Sequence, residues 1–111
     1  GVHTVSLKGC HAITSAGLEY LQGVQYIDVS LCHQICDRGV QALAGARTVL
    51  LSGCSRVTDA GVAALAGADV LSLCDLNRIT DDSVVKLAGV RVISLSGCSQ
   101  ITDRSLRALR G

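Results

Sequence analysis

The 111-residue sequence has no proline, phenylalanine, tryptophan or methionine, and its only aromatic residues are Tyr20 and Tyr26. That excludes a core organised around a few bulky rings. Burial has to come from Leu, Val, Ile, Ala and Cys, within a sequence that is 49% hydrophobic, and side chains of that size fill thin, similar layers. Ten Lys and Arg stand against nine Asp and Glu, a net charge of +1, and no basic or acidic run develops. No nucleic-acid partner is expected, because phosphate binding calls for a concentrated basic surface. No apolar stretch reaches the roughly 20 residues that cross a bilayer, and no charged-then-apolar leader opens the chain. A soluble domain with no membrane partner is expected. The length suits one domain, 1–111, and a first residue other than Met suggests a processed product or a piece of something longer.

What the sequence has instead is a repeat. Sliding the chain along itself gives one dominant offset, 22 residues, without insertion or deletion, and divides it into 1–22, 23–44, 45–66, 67–88 and 89–110. Gly1, Gly23, Gly45, Gly67, Gly89 and Gly111 recur at this offset. After each of the first five comes an alternating apolar pair: Val5 and Leu7, Ile27 and Val29, Val49 and Leu51, Leu71 and Leu73, Ile93 and Leu95. Period-two apolar residues predict a short strand with one buried face.

Three residues past each pair stand Cys10, Cys32, Cys54 and Cys98, with Leu76 in the fourth unit. Thr58-Asp59, Thr80-Asp81 and Thr102-Asp103 then mark helix starts, where a Thr side chain caps free N–H groups and an Asp favours the positive end of the helix dipole. Apolar pairs three apart follow, Leu18 with Leu21 through Leu106 with Leu109, which is helical spacing. The recurrent glycine is expected to close each helix in the left-handed conformation. A helix of about eight residues, roughly 12 Å long, is marginal alone and needs neighbours. Stacked units merge the apolar ladders into one core.

Across one unit the pattern is L-x-x-L-x-L-x-x-C followed by x-x-I-T-D-x-G-V-x-x-L, best matched by Val57, Thr58, Asp59, Gly61, Val62 and Leu65 of the third unit. The whole chain resembles the cysteine-containing leucine-rich repeats. The resemblance implies an α/β solenoid, a horseshoe arc with a parallel sheet on its concave side and short helices on its convex side. It also implies a protein-binding role like that of the repeat arrays in F-box substrate receptors, although these residues contain no F-box segment.

The cysteines allow three readings. Cys10, Cys32, Cys54 and Cys98 form one structural ladder, where buried thiols fill space and donate weakly to carbonyls, and Leu76 suits a packed site better than a cross-link. Disulfide pairing and a metal site built from Cys10, His11, Cys32, His33 and Cys36 are the lesser alternatives. Reduced thiols imply a reducing compartment, cytoplasm or nucleus. No cofactor is expected. No catalytic constellation appears either: Ser and Asp recur at fixed phase, as repeat structure does, and no phosphate-loop lysine follows the turn glycines Gly53 and Gly97.

Residues alternating with the buried pairs face outward from the sheet in three columns: Thr4, Tyr26, Thr48, Val70 and Val92; Ser6, Asp28, Leu50, Ser72 and Ser94; Lys8, Ser30, Ser52, Cys74 and Ser96. Most are small. Tyr26, Asp28, Leu50, Val70, Cys74 and Val92 interrupt this bland face and are the candidate partner contacts, Cys74 being the candidate reactive thiol. Chance drift on an exposed sheet explains them equally well. The first and last units carry the same apolar pattern as the interior ones, with no polar cap, so self-association through uncapped ends is the rival expectation. A segment cut from a longer array, or a designed array, would look the same.

Overall fold

A computed structural model describes residues 2–110, so the first and last glycines of the repeat series lie outside the described residues. The first residue of every alternating pair is the centre of a three-residue strand, and the second lies one residue past its end: β1 (Thr4–Ser6), β2 (Tyr26–Asp28), β3 (Thr48–Leu50), β4 (Val70–Ser72) and β5 (Val92–Ser94). The strands form one parallel sheet in chain order. Its register equals the sequence period: Thr4 lies opposite Tyr26, Tyr26 opposite Thr48, Thr48 opposite Val70 and Val70 opposite Val92. The stack measures 37 × 23 × 18 Å. The α/β solenoid expected from the periodicity is what the chain forms.

Five helices return the chain: α1 (Ser15–Leu18), α2 (Asp37–Gln41), α3 (Asp59–Ala63), α4 (Asp81–Val84) and α5 (Asp103–Leu109). Four of them span only four or five residues, shorter than the spacing suggested, because the chain must reach the next strand within 22 residues. In the first and fourth units the last turn tightens into 3-10 form at Glu19–Leu21 and Val85–Leu87. Between sheet and helices lies one continuous core that includes Ile27, Val49 and Leu71 from the strands and Val40, Val62 and Val84 from the helices.

The glycine stop is a correction. Among the recurrent glycines described, only Gly23 has positive φ, and a Cβ on Gly45, Gly67 or Gly89 would meet open space. Neither conformation nor crowding explains why glycine recurs there. The left-handed position lies after each strand instead, at Gly9, Leu31, Gly53, Asp75 and Gly97. Leu31 and Asp75 hold φ of 63° there, a conformation that costs a side chain about 1–2 kcal/mol. The turn must redirect the chain from strand to helix in every unit, and three units meet that need with glycine.

The capping role of threonine is corrected in part. Thr80 and Thr102 accept from the N–H of Asp82 and Arg104, whereas Thr14 and Thr58 make no side-chain cap. The neighbouring aspartate does more than meet the helix dipole. Asp37 accepts from the Thr58 N–H and hydroxyl, Asp59 from those of Thr80, and Asp81 from those of Thr102. Ser83 and Ser105 donate to the same carboxylates, Asp59 and Asp81. Each aspartate thus bolts its unit to the next, and charge-assisted bonds of this kind are about twice as strong as neutral ones.

Candidate protein-binding face

The strands carry the first two columns, and the third, Lys8, Ser30, Ser52, Cys74 and Ser96, lies two residues past the strand ends in the turns. Thr4, Tyr26, Thr48, Val70 and Val92 are aligned by direct strand pairing, as are Ser6, Asp28, Leu50, Ser72 and Ser94. The structure therefore brings Tyr26, Asp28, Leu50, Val70, Cys74 and Val92 onto one face. Tyr26 is 38% exposed and Val92 57% exposed, while Leu50 and Val70 are half-buried by flanking side chains. Leu50 pairs with Asp28 and Ser72, and Val70 with Thr48 and Val92, so Tyr26, Leu50 and Val70 zigzag across the sheet, Tyr26 and Val70 in one column and Leu50 in the next. Asp28 is not free to swing, since its carboxylate accepts from the Ser30 N–H at 3.0 Å.

Beside these apolar residues the hydroxyls form a network. Ser52 and Ser72 lie 2.6 Å apart oxygen to oxygen, the Cys74 N–H donates to the Ser52 hydroxyl at 3.2 Å, and the Cys74 sulfur lies 3.3 Å from the Ser94 hydroxyl. The Ser94 hydroxyl, helped by those of Ser52 and Ser72, holds the Cys74 thiol below the usual thiol range against the opposing effect of burial. The partly exposed thiol of the sequence reading is thus also the easier one to ionise. Cys36 is lowered as well, chiefly by the Ser15 hydroxyl, which also accepts from the Cys36 N–H at 2.9 Å.

The ladder thiols behave in the opposite way. Cys32 donates to the Leu7 carbonyl at 3.1 Å, Cys54 to that of Val29 at 3.1 Å and Cys98 to that of Leu73 at 2.9 Å. Burial pushes all three up, Cys54 to about 11. Cys10 corrects the expectation of an inward-facing ladder, because it is exposed. The carbonyl that a ladder thiol meets belongs to the unit before it, and the first described unit has no such neighbour. His11 and His33 face out and stack flat, centroids 5.6 Å apart and planes 10° apart. Among the described residues no three His, Cys, Asp or Glu side chains gather around a common point.

Sequence reasoning missed the aspartate bolts, although their signal was present in the Thr-Asp pair recurring at the repeat period. It also missed Leu31, an exposed apolar side chain at positive φ beside this face, whose Cδ2 would lie 2.6 Å from a Cβ on Gly53.

Against known proteins, a family model described as Leucine Rich repeat matches residues 24–44, the second unit. The fold is a leucine-rich-repeat solenoid. A solved chain from the crystal structure of the Rad7 and Elc1 complex in yeast superposes with a TM-score of 0.77 at 19% identity, over 94% of this chain. This chain spans 30% of that solved chain. A comparison with curated proteins gave no match. No helix is long and apolar enough to cross a membrane among the described residues.

Proposed function

We propose that this leucine-rich-repeat array is a protein-interaction scaffold whose sheet face receives a protein partner, as a recognition part of a larger assembly such as a substrate receptor. The reading rests chiefly on the apolar cluster of Tyr26, Leu50 and Val70 on successive strands, which breaks a surface of mostly small and hydroxylated side chains. Apolar side chains rimmed by polar ones are what an interface core requires. The relationship to a chain solved within a two-protein complex agrees with it. Six unpaired thiols favour a reducing compartment, cytoplasm or nucleus. A displayed peptide library selected on the immobilised chain tests the site. Peptides enriched on the wild type should lose binding to the Leu50→Asp, Val70→Asp double variant and keep it to Gln41→Asp on the helix side, circular dichroism confirming both folds. The reverse pattern would move the site to the helices.

A second reading, an array that stacks on itself, is favoured by the two ends. Val2 is 65% exposed and Leu106 60% exposed, while the outer edges of β1 and β5 have no strand partner among the described residues. Exposed edges of this kind are templates for pairing.

A further inference from the structure

We infer that the protein partner of the sheet face contributes a basic side chain, arginine by preference, which seats on the Asp28 carboxylate between Tyr26 and Leu50. This inference rests on the protein-binding reading above and names the chemistry of its partner.

Asp28 holds a charge that the fold does not use. Asp37, Asp59 and Asp81 each fasten a threonine of the next unit, while Asp69 and Asp82 are paired with Arg47 and Arg104. Asp28 has neither role. Its one hydrogen bond among the described residues comes from the Ser30 N–H at 3.0 Å, which engages Oδ1 and leaves Oδ2 open. No cationic side chain pairs with it among the described residues, Lys8 of the preceding unit included. It is nevertheless half-buried, and its cross-strand neighbours, Ser6 and Leu50, carry no charge. A carboxylate taken partly out of water without a counter-charge is costly, and a cation supplied by a partner removes that cost. Asp75 also lacks an ion pair, but it is exposed in a turn, where water screens it.

The surroundings select the cation. Tyr26 stands two residues before Asp28 on β2, so both side chains leave the same face, roughly 7 Å apart along the strand. A guanidinium can lie over the exposed phenol ring while its edge meets the carboxylate, which combines a cation–π contact with charge-assisted hydrogen bonds. Arginine suits this better than lysine, whose ammonium is a compact, strongly hydrated point charge. Its aliphatic stem then runs over Leu50, and Val70 on the next strand takes an apolar neighbour from the same segment. The Ser30 N–H already fixes the carboxylate, so little side-chain freedom is lost when the cation arrives. A carboxylate in this place repels phosphate, so the occupant is a protein segment and not a nucleic acid or an anionic membrane surface.

Random linear peptides, displayed and selected against the immobilised 111-residue chain, test the inference. Peptides whose capture depends on Leu50 and Val70 should share an arginine or lysine beside an apolar residue. Asp28→Asn keeps the oxygen that accepts from the Ser30 N–H and removes only the charge, so its circular dichroism should match the wild type. It should bind a synthetic copy of the most enriched peptide about tenfold or more weakly. Tyr26→Leu should weaken the same peptide by about threefold through loss of the ring. Glutamine in place of the peptide's basic residue should weaken binding to the wild type as much as Asp28→Asn does, and weaken binding to the Asp28→Asn variant little further. Peptides that need Leu50 and Val70 but share no basic residue, or that bind Asp28→Asn as tightly as the wild type, overturn the inference and leave the protein-binding reading standing. A selection that yields no peptide dependent on Leu50 and Val70 overturns both.

Discussion

The middle units and the terminal ones are written in the same pattern, yet they end up in different environments. Ile27, Val49 and Leu71 are fully enclosed, whereas their counterparts Val5 and Ile93 are only half-buried. The two ends are not alike either. In the first unit Leu18 is buried and Cys10 exposed; in the last, Cys98 is buried and the Leu18 counterpart, Leu106, is exposed. Each thiol is therefore covered from the N-terminal side and each such helix residue from the C-terminal side. A repeat of this kind does not bury itself. Its stability is a property of its two contacts, and those contacts have a direction.

The largest test of that contrast is truncation in the core. Leu51 is fully enclosed in the middle of the stack, so Leu51→Ala should cost about 2–5 kcal/mol, the range for a large core residue that leaves a cavity. Leu7→Ala, at the same position in the first unit but half-buried, should cost less than half as much, since part of its surface already faces water. Urea denaturation of both variants measures the two costs. Equal losses would show that the terminal unit is as enclosed as the interior and would remove the contrast.

Glycine offers a smaller effect with a change of sign. Gly61 lies in α3 under Asp37, and a Cβ there would also come within 3.0 Å of the Asp37 Cα, which is backbone and yields little. Gly61→Ala should therefore destabilise by about 1–3 kcal/mol through overpacking. Gly17 holds the same place in α1 with open space around it, so Gly17→Ala should stabilise by about 0.5–1 kcal/mol, the gain of alanine over glycine inside a helix. Thermal melts of the two variants read opposite shifts. Two shifts of one sign would mean that the preceding unit does not set the space at this position.

Much of this was legible in the sequence because the period is uninterrupted. An offset of 22 residues fixes the strand register, and the register fixes which residues share the sheet face, so the columns through Tyr26 and Asp28 came out as read. What stayed hidden depends on groups that are distant along the chain or on backbone angles. Locally, Thr80-Asp81 is a good helix start, and only the next unit, whose Thr102 lies 21 residues away, shows that Asp81 is also a bolt. Leu31 and Asp75 carry no signature of positive φ, because leucine and aspartate are common elsewhere; their alignment with Gly9, Gly53 and Gly97 was the available clue. Helix length was overread because spacing of three marks a buried face and says nothing about where the hydrogen bonding stops.

The smallest expected effect is the pH dependence of the bolted aspartates. Hydroxyls from Ser105 and Thr102, with the Thr102 N–H, hold Asp81 down at about 2; burial opposes the same trend at Asp59, but the Ser83 and Thr80 hydroxyls and the Thr80 N–H prevail and lower it. In the unfolded chain both carboxylates return to about 3.9, so between that value and about 2 the unfolded state binds more protons and acid favours it. The contribution is fully present above about pH 4 and fades as pH falls towards 2. Solvent screening keeps it small at the exposed end of the ladder. Melting temperature measured across that window should fall for the wild type and fall less steeply for the Asp59→Asn, Asp81→Asn double variant. A double variant as acid-sensitive as the wild type would mean that these carboxylates do not fasten one unit to the next.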